Sequence, residues 1–332
     1  MTGQLTRRGM LGAGLAAAAI SRSALAQGQP MGNGGTIRLM INPAGTMSFL
    51  PFVIRKFALD KKYGFNLSVL PYTTNAAAQA ALQGKSADVV VLDWLISARL
   101  TQGGVPLVGI APFLTYVNSV LVPKDSTIRN LGDLAGKRVG SPGKTGFDWA
   151  IMVAAARRFY NVDLEKQATV QDAAAPLLRG SITNGQLDAT GMWNSLVPDM
   201  LVSGKFRILV TIREMTEQFG IPTAPFLYFG MRADYERDNA QNAAAFAACY
   251  REVFDILMTN DEVWAERGKE MNLAPEALVL FRDEVRGDAL KTFTPEMNGA
   301  LVKTYDIVKE AVGTEALGFS TMPANLLSLR YQ

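Results

Sequence analysis

From Thr36 onward, short apolar runs of strand length alternate with segments of helical period, and near Val122 the alternation starts afresh. Few folds satisfy this pattern. Strands joined by helices pair in parallel and need helices on both sheet faces, so the reading is an α/β protein of two Rossmann-like lobes with largely parallel sheets. In the first lobe, Thr36 to Ile41 reads as a strand and Leu50 to Ala58 as a helix stopped by Tyr63-Gly64. Phe65 to Leu70 is a second strand, Thr74 to Gly84 an Ala-rich helix, and Ala87 to Leu92 the continuous apolar run that a parallel sheet buries. The second lobe repeats the order, with strands at Arg138 to Gly140, Thr169 to Gln171, Leu187 to Met192 and Phe206 to Ile212. Helices fall between them, at Thr145 to Tyr160, before Gly180 or Gly185, and near Leu196 to Val202. Beyond Ile221 one strand, Ala224 to Met231, precedes helices through residues 232–313, which suits a return to the first lobe.

Composition removes whole classes of chemistry. The 332 residues include no His and a single Cys, Cys249. A Ser-His-Asp or Cys-His nucleophile, a His-ligated zinc site, an intramolecular disulfide and a multi-Cys cluster are all excluded. Residues 1–26 read as an export signal, with Arg7-Arg8, an apolar run from Met10 to Ile20 and the small-residue cleavage site Ala24-Leu25-Ala26. The twin arginine resembles a Tat signal, an ordinary Sec signal with two chance arginines being the alternative. The apolar run falls short of the ~20 residues a membrane span needs. No Cys follows the cleavage site for a lipid anchor, so the mature chain is expected to be a soluble periplasmic protein beginning with a Gly-rich linker at residues 27–35. Loss of Arg7, Arg8 and Arg22 makes basic and acidic residues equal in number, and no basic motif points to nucleic acid. The Gly12-Ala13-Gly14-Leu15-Ala16-Ala17 match to a dinucleotide pattern lies inside the signal and lacks a preceding strand.

Two echoes relate the lobes. Ala80 to Asp88 leads into a strand ending at Asp93-Trp94, and Ser181 to Asp188 into one ending at Met192-Trp193-Asn194. Each puts a Trp at a strand's carboxyl end, where open parallel sheets bind ligands; the bland alternative is that each plugs its own lobe's core. The run Leu131-Gly132-Asp133-Leu134-Ala135-Gly136-Lys137-Arg138-Val139-Gly140, the Gly185 to Ala189 element and Trp193 resemble the nitrate/taurine/alkanesulfonate (NMT1/THI5-like) branch of periplasmic substrate-binding proteins of ABC importers. The resemblance implies a type II periplasmic binding fold: lobe 1 from residues 36–120 with 221–332, lobe 2 from 121–220, and crossing strands near 117–123 and 214–224. It further implies hinge closure on one small molecule and delivery to an inner-membrane permease and ATPase by a protein that is itself a monomer. No cofactor or metal is expected.

The candidate ligand contacts sit on loops after strands: Gly45, Thr46 and Met47; Tyr72 and Thr73; Asp93 and Trp94; Ser119 near the first crossing; and Trp193 with Asn194. Such hydroxyls, amides and aromatic faces fix a small ligand without reacting with it, although Met47 and Tyr72 serve equally as packing residues. Thr145-Gly146-Phe147-Asp148 has capping-box spacing and places a helix N-terminus behind Lys144 and Thr145, which suits an anion; a solvated Lys144 beside an ordinary cap is the alternative. Trp149 completes the set, with the core as its alternative. Asp93 would repel an anion and must pair with a cation, accept a ligand N–H or point away. The expected ligand is a small anionic aromatic or heterocyclic solute: an aromatic sulfonate or carboxylate, a quinone cofactor, a pyrimidine, or a taurine-like sulfonate. An accessory protein docking on a periplasmic enzyme is the alternative reading. An enzyme is disfavoured, since Cys249 lies in an Ala-rich helical run where a buried thiol is the simpler reading.

Overall fold

Ten strands form two five-stranded sheets in the described part of the chain, residues 31–332 of a computed structural model. The expected export signal and the first part of the linker lie outside the described residues. In chain order the strands are β1 (Thr36–Ile41), β2 (Asn66–Pro71), β3 (Val89–Asp93), β4 (Leu107–Leu114), β5 (Ser119–Pro123), β6 (Arg138–Ser141), β7 (Thr169–Asp172), β8 (Ala189–Met192), β9 (Phe206–Thr211) and β10 (Leu227–Arg232). The first sheet is ordered β2-β1-β3-β10-β4 and the second β7-β6-β8-β5-β9. The two orders are the same arrangement. In each, one strand arrives from the other sheet: β5 follows β4 across a short crossing, and β10 follows β9.

The sheets are mixed rather than largely parallel. β1 pairs in parallel with β2 and β3, and β6 with β7 and β8, whereas β10 runs antiparallel to β3 and β4, and β5 antiparallel to β8 and β9. Geometry dictates this. The chain leaves one sheet at its carboxyl edge and enters the next at the carboxyl edge facing it, so the exchanged strand must run against its new neighbours. Several observed elements have no counterpart in the sequence reading, among them β4, the helices Trp94–Gln102 and Leu164–Gln167, and the helix Ile212–Gln218, which takes up part of the stretch expected as a crossing strand near 214–224.

The echo between the lobes has a physical basis. Arg38, in β1, donates its backbone N–H (2.9 Å) and Nε (2.9 Å) to one oxygen of Asp88 and Nη2 (2.6 Å) to the other. Arg138, in β6, repeats the clasp on Asp188 at 2.8, 3.1 and 2.7 Å. Each clasp ties the central parallel strand of its sheet, β1 or β6, to the start of the parallel strand beside it, β3 or β8, and bidentate charge-assisted bonds fix that register firmly. The two differ in burial, since the Asp88 side chain is 1% exposed and also meets Arg232 at 3.4 Å, while that of Asp188 is 30% exposed.

The helical tail spans both sheets. Helices Ala240–Thr259, Asp261–Glu270 and Pro275–Asp288 contribute Phe246, Tyr250, Trp264 and Phe281 to a core shared with β1, β3 and β4. Cys249 belongs to this core, where burial pushes its thiol above the ordinary range and leaves it a packing residue. Helix Pro295–Val312 instead lies against helix Phe147–Tyr160 beside the second sheet. At the first crossing, Thr115 and Arg213 both bond Asp288, joining the crossing to the tail.

Asp88→Ala leaves the buried guanidinium of Arg232 and the backbone N–H of Arg38 without this acceptor and is expected to cost about 3–5 kcal/mol, whereas Asp188→Ala breaks a partly solvated pair and is expected to cost about 1 kcal/mol or less. Urea denaturation of the two variants checks the contrast; equal losses would show that the clasps are energetically alike.

Candidate functional site

The carboxyl edges of the two sheets face one another, and everything the strands leave there converges on one cavity. β1 runs into Asn42, Gly45, Thr46 and Met47, β2 into Tyr72, and β3 into Asp93; β6 leads to Pro142, Gly143, Gly146 and Asp148, and β8 to Trp193 and Asn194. Asn118 and Phe226 close it from the two crossings. The space open to the centre of a water-sized sphere is about 100 Å³, room for several waters or one compact organic molecule.

The cavity is held shut by bonds from one side to the other. Thr46 Oγ1 donates to Asn194 Oδ1 at 2.6 Å, and Ser195 Oγ to the carbonyl of Ala44 at 2.7 Å. Arg99 Nη1 donates to the carbonyl of Thr145 at 2.7 Å. Asn118 links the crossing to both walls of the second lobe, its Nδ2 donating to Asp148 Oδ2 at 2.6 Å and its Oδ1 accepting from Asn194 N at 2.9 Å.

Asp93 holds the central position. Its Oδ1 accepts from Ile96 N at 2.9 Å, capping helix Trp94–Gln102, so Asp93 and Trp94 form a helix start rather than a loop. Its Oδ2 lies 3.4 Å from Phe147 N, the first amide of helix Phe147–Tyr160 on the opposite wall. One carboxylate therefore caps a helix in each half of the molecule. Gly146 permits the approach, for a Cβ there would stand 2.7 Å from Asp93 Oδ2. The helix end expected to receive an anion already faces one.

The expected capping box is absent in this arrangement. Gly146 is the N-cap and makes no side-chain cap, Thr145 is exposed, and Asp148 turns into the cavity toward Asn118. Burial raises Asp93 to about 6 despite the amides that favour its charge. Burial, with the nearby charge of Asp93, raises Asp148 to about 7. Both carboxyls are therefore held closer to the neutral form than an ordinary aspartate. The lining residues include no Lys or Arg.

Of the residues singled out from the sequence, Gly45, Thr46, Met47, Tyr72, Asp93, Trp193 and Asn194 line the cavity. Six do not. Trp94 is fully buried, its ring 5.1 Å from Phe147, which in turn lies 5.3 Å from Tyr116 and 6.0 Å from Phe226. It is part of an aromatic cluster joining the two halves behind the cavity, a helical position turning it away from the lining. Trp149 is buried in its helix face, with Lys144 Nζ 5.7 Å from its ring centroid, so both are engaged outside the cavity. Ser119 is buried within β5, Thr73 is exposed, and Thr145 offers only its carbonyl, to Arg99. Asn118, Asp148 and Phe226 escaped sequence reasoning. Asn118 stood beside the singled-out Ser119, and Asp148 was assigned to a cap.

The sequence matches the family described as NMT1/THI5 like over residues 61–262. None of the curated proteins compared is detectably similar in sequence. In three dimensions the chain is similar to the alkanesulfonate-binding protein SsuA from Xanthomonas axonopodis pv. citri bound to MOPS, at 15% identity and TM-score 0.73, covering 88% of this chain and 98% of that one. It is similar also to the periplasmic aliphatic sulphonate-binding protein SsuA from Escherichia coli, at 16% identity and TM-score 0.66, with 85% and 99% covered. The periplasmic nitrate-binding protein NrtA from Synechocystis PCC 6803 follows at 14% identity and TM-score 0.59, with 78% and 71% covered. At such identities the likeness speaks for the fold, and the two-lobed periplasmic binding architecture expected from the sequence is the one found.

The acid groups generate a pH signature. A carboxyl raised in the folded state above its unfolded value near 4 adds stability at acid pH and loses it as pH climbs through the raised value. For Asp148 that window runs from about pH 4 to about 7. Asp148→Asn stays neutral throughout, so it is expected to match the parent near pH 4 and to exceed it by about 2 kcal/mol at pH 8, a figure discounted because the side chain faces a cavity that admits solvent. Scanning calorimetry across that range checks it; a variant less stable than the parent at pH 8 would contradict the reading.

Proposed function

The chain belongs to the NMT1/THI5-like family, and from that premise we propose that it is the solute-binding component of an ABC importer, which traps a small organic molecule between two lobes and presents it to an inner-membrane permease and ATPase. The observation that carries the reading is the closed cavity where the carboxyl edges of two strand-exchanged sheets face each other, bridged by Thr46–Asn194, Ser195–Ala44 and Asp93–Phe147 contacts. These bonds join halves connected by short crossings, an arrangement suited to opening about a hinge. In this reading lobe 1 comprises residues 36–120 with 221–332, its helix Pro295–Val312 reaching across to lobe 2, lobe 2 comprises residues 121–220, and the protein works as a periplasmic monomer after loss of the export signal. No helix among the described residues is long and apolar enough to cross a membrane.

The cavity walls favour a compact, flat solute. Tyr72, Trp193 and Phe226 supply aromatic faces, Met40 and Met47 apolar fill, and Asn42, Asn118 and Asn194 polar edges. Tyr72 also keeps its proton, since burial and the charge of Asp93 push its hydroxyl above the ordinary range. The lining carries no basic side chain, which weakens the sequence-based expectation of an anion. Among the solutes considered from the sequence, a neutral heterocycle such as a pyrimidine fits this lining better than a sulfonate or carboxylate.

Titration of the mature protein with a panel of small heterocycles and sulfonates, followed by tryptophan emission and small-angle scattering, tests the proposal. One class is expected to change the emission and contract the particle, and Trp193→Phe to abolish most of the emission change. Conversion of the solute to product, or copurification with a periplasmic enzyme without any solute response, would overturn it.

A further inference from the structure

Resting on the solute-binding reading, we propose that the cavity selects a solute with a nitrogen head that donates hydrogen bonds, an amidinium or amine, and that Asp148 is the residue that selects it. The argument is one of unmet bonds. Asp148 Oδ2 accepts from Asn118 Nδ2 at 2.6 Å, while its Oδ1 is buried and has no partner. A buried carboxylate oxygen left without a donor is costly, and above the pH at which the carboxyl would simply take up a proton the cost is relieved when something in the cavity donates to it. Among the described residues none donates to it. Arg99, the guanidinium nearest Asp93, gives its N–H groups to the carbonyls of Leu317 at 2.9 Å and Thr145 at 2.7 Å. Lys144 lies over Trp149, outside the lining.

The rest of the wall agrees. Asp93 adds a second carboxylate to the same cavity, so an acidic solute would bring a third negative charge into a space without a cation. A positive head, by contrast, would meet Asp148 on one side and aromatic faces on others, since Tyr72, Trp193 and Phe226 present ring surfaces that attract cations. The anion-accepting end of helix Phe147–Tyr160 is already answered by Asp93 Oδ2. The helix end that could receive a sulfonate is, in this chain, directed at the protein's own acid.

Four probes with one ring and different heads separate the possibilities: benzamidine, benzylamine, benzoate and benzenesulfonate, titrated calorimetrically into the mature protein at pH 8. Benzamidine or benzylamine is expected to bind at least tenfold more tightly than either acid. Asp148→Asn, which keeps the shape and the Asn118 contact, is expected to weaken that binding tenfold or more with no loss of thermal stability. Tighter binding of an acid, or cation binding unchanged in Asp148→Asn, overturns this inference and leaves the solute-binding reading standing. Binding of none of the four, together with no scattering response to the wider panel, overturns both.

Discussion

A single carboxylate caps helices on both sides of the cleft. Asp93 bonds the start of helix Trp94–Gln102 through one oxygen and reaches the first amide of helix Phe147–Tyr160 through the other. Helix starts present unpaired N–H groups and a partial positive charge, so an acid between two of them is stabilised from both directions. Burial opposes that stabilisation strongly enough to hold Asp93 near 6, well above an ordinary aspartate. The contact therefore fastens the closed form while remaining sensitive to whatever enters the cavity beside it. It also fixes the cavity's polarity, because the helix end that could receive an anion faces an acid already.

The rest of the architecture brings that carboxylate to its place. Exchange of β5 and β10 between sheets makes the two carboxyl edges face each other, and both crossings pass behind the cavity, carrying Tyr116 and Phe226. Those rings pack with Phe147 and Trp94 in an aromatic cluster between the two halves, where Trp94 N also donates to the carbonyl of Phe226 at 3.2 Å. On the cavity side the two walls are joined by the short bonds Thr46–Asn194 and Ser195–Ala44.

Much of this was legible in the sequence, for reasons that can be traced. The apolar runs at Thr36 to Ile41 and Ala87 to Leu92 are strands because both faces are covered, and the matched elements ending at Asp88 and Asp188 reflect the same Arg–Asp clasp built twice. Local pattern could not reveal that β5 and β10 are antiparallel, since direction follows from which edges face each other. Nor could it show that the tail spans both sheets. Trp94 and Trp193 occupy corresponding positions in the chain, yet the first begins a helix and turns inward while the second stays in a turn lining the cavity. The Thr145 to Asp148 spacing suggested a cap, but the approach of Asp93 left Gly146 as the only tolerable residue there and released Asp148 into the cavity. Nor could a local window show that an acid from the other lobe stands at that helix end.

The most direct measurement is native mass spectrometry of the protein isolated, without denaturation, from its own host. The account predicts a mass increment from one compact nitrogenous solute, released intact when the protein is unfolded. Recovery of a sulfonate, carboxylate or other acid in that space would contradict it.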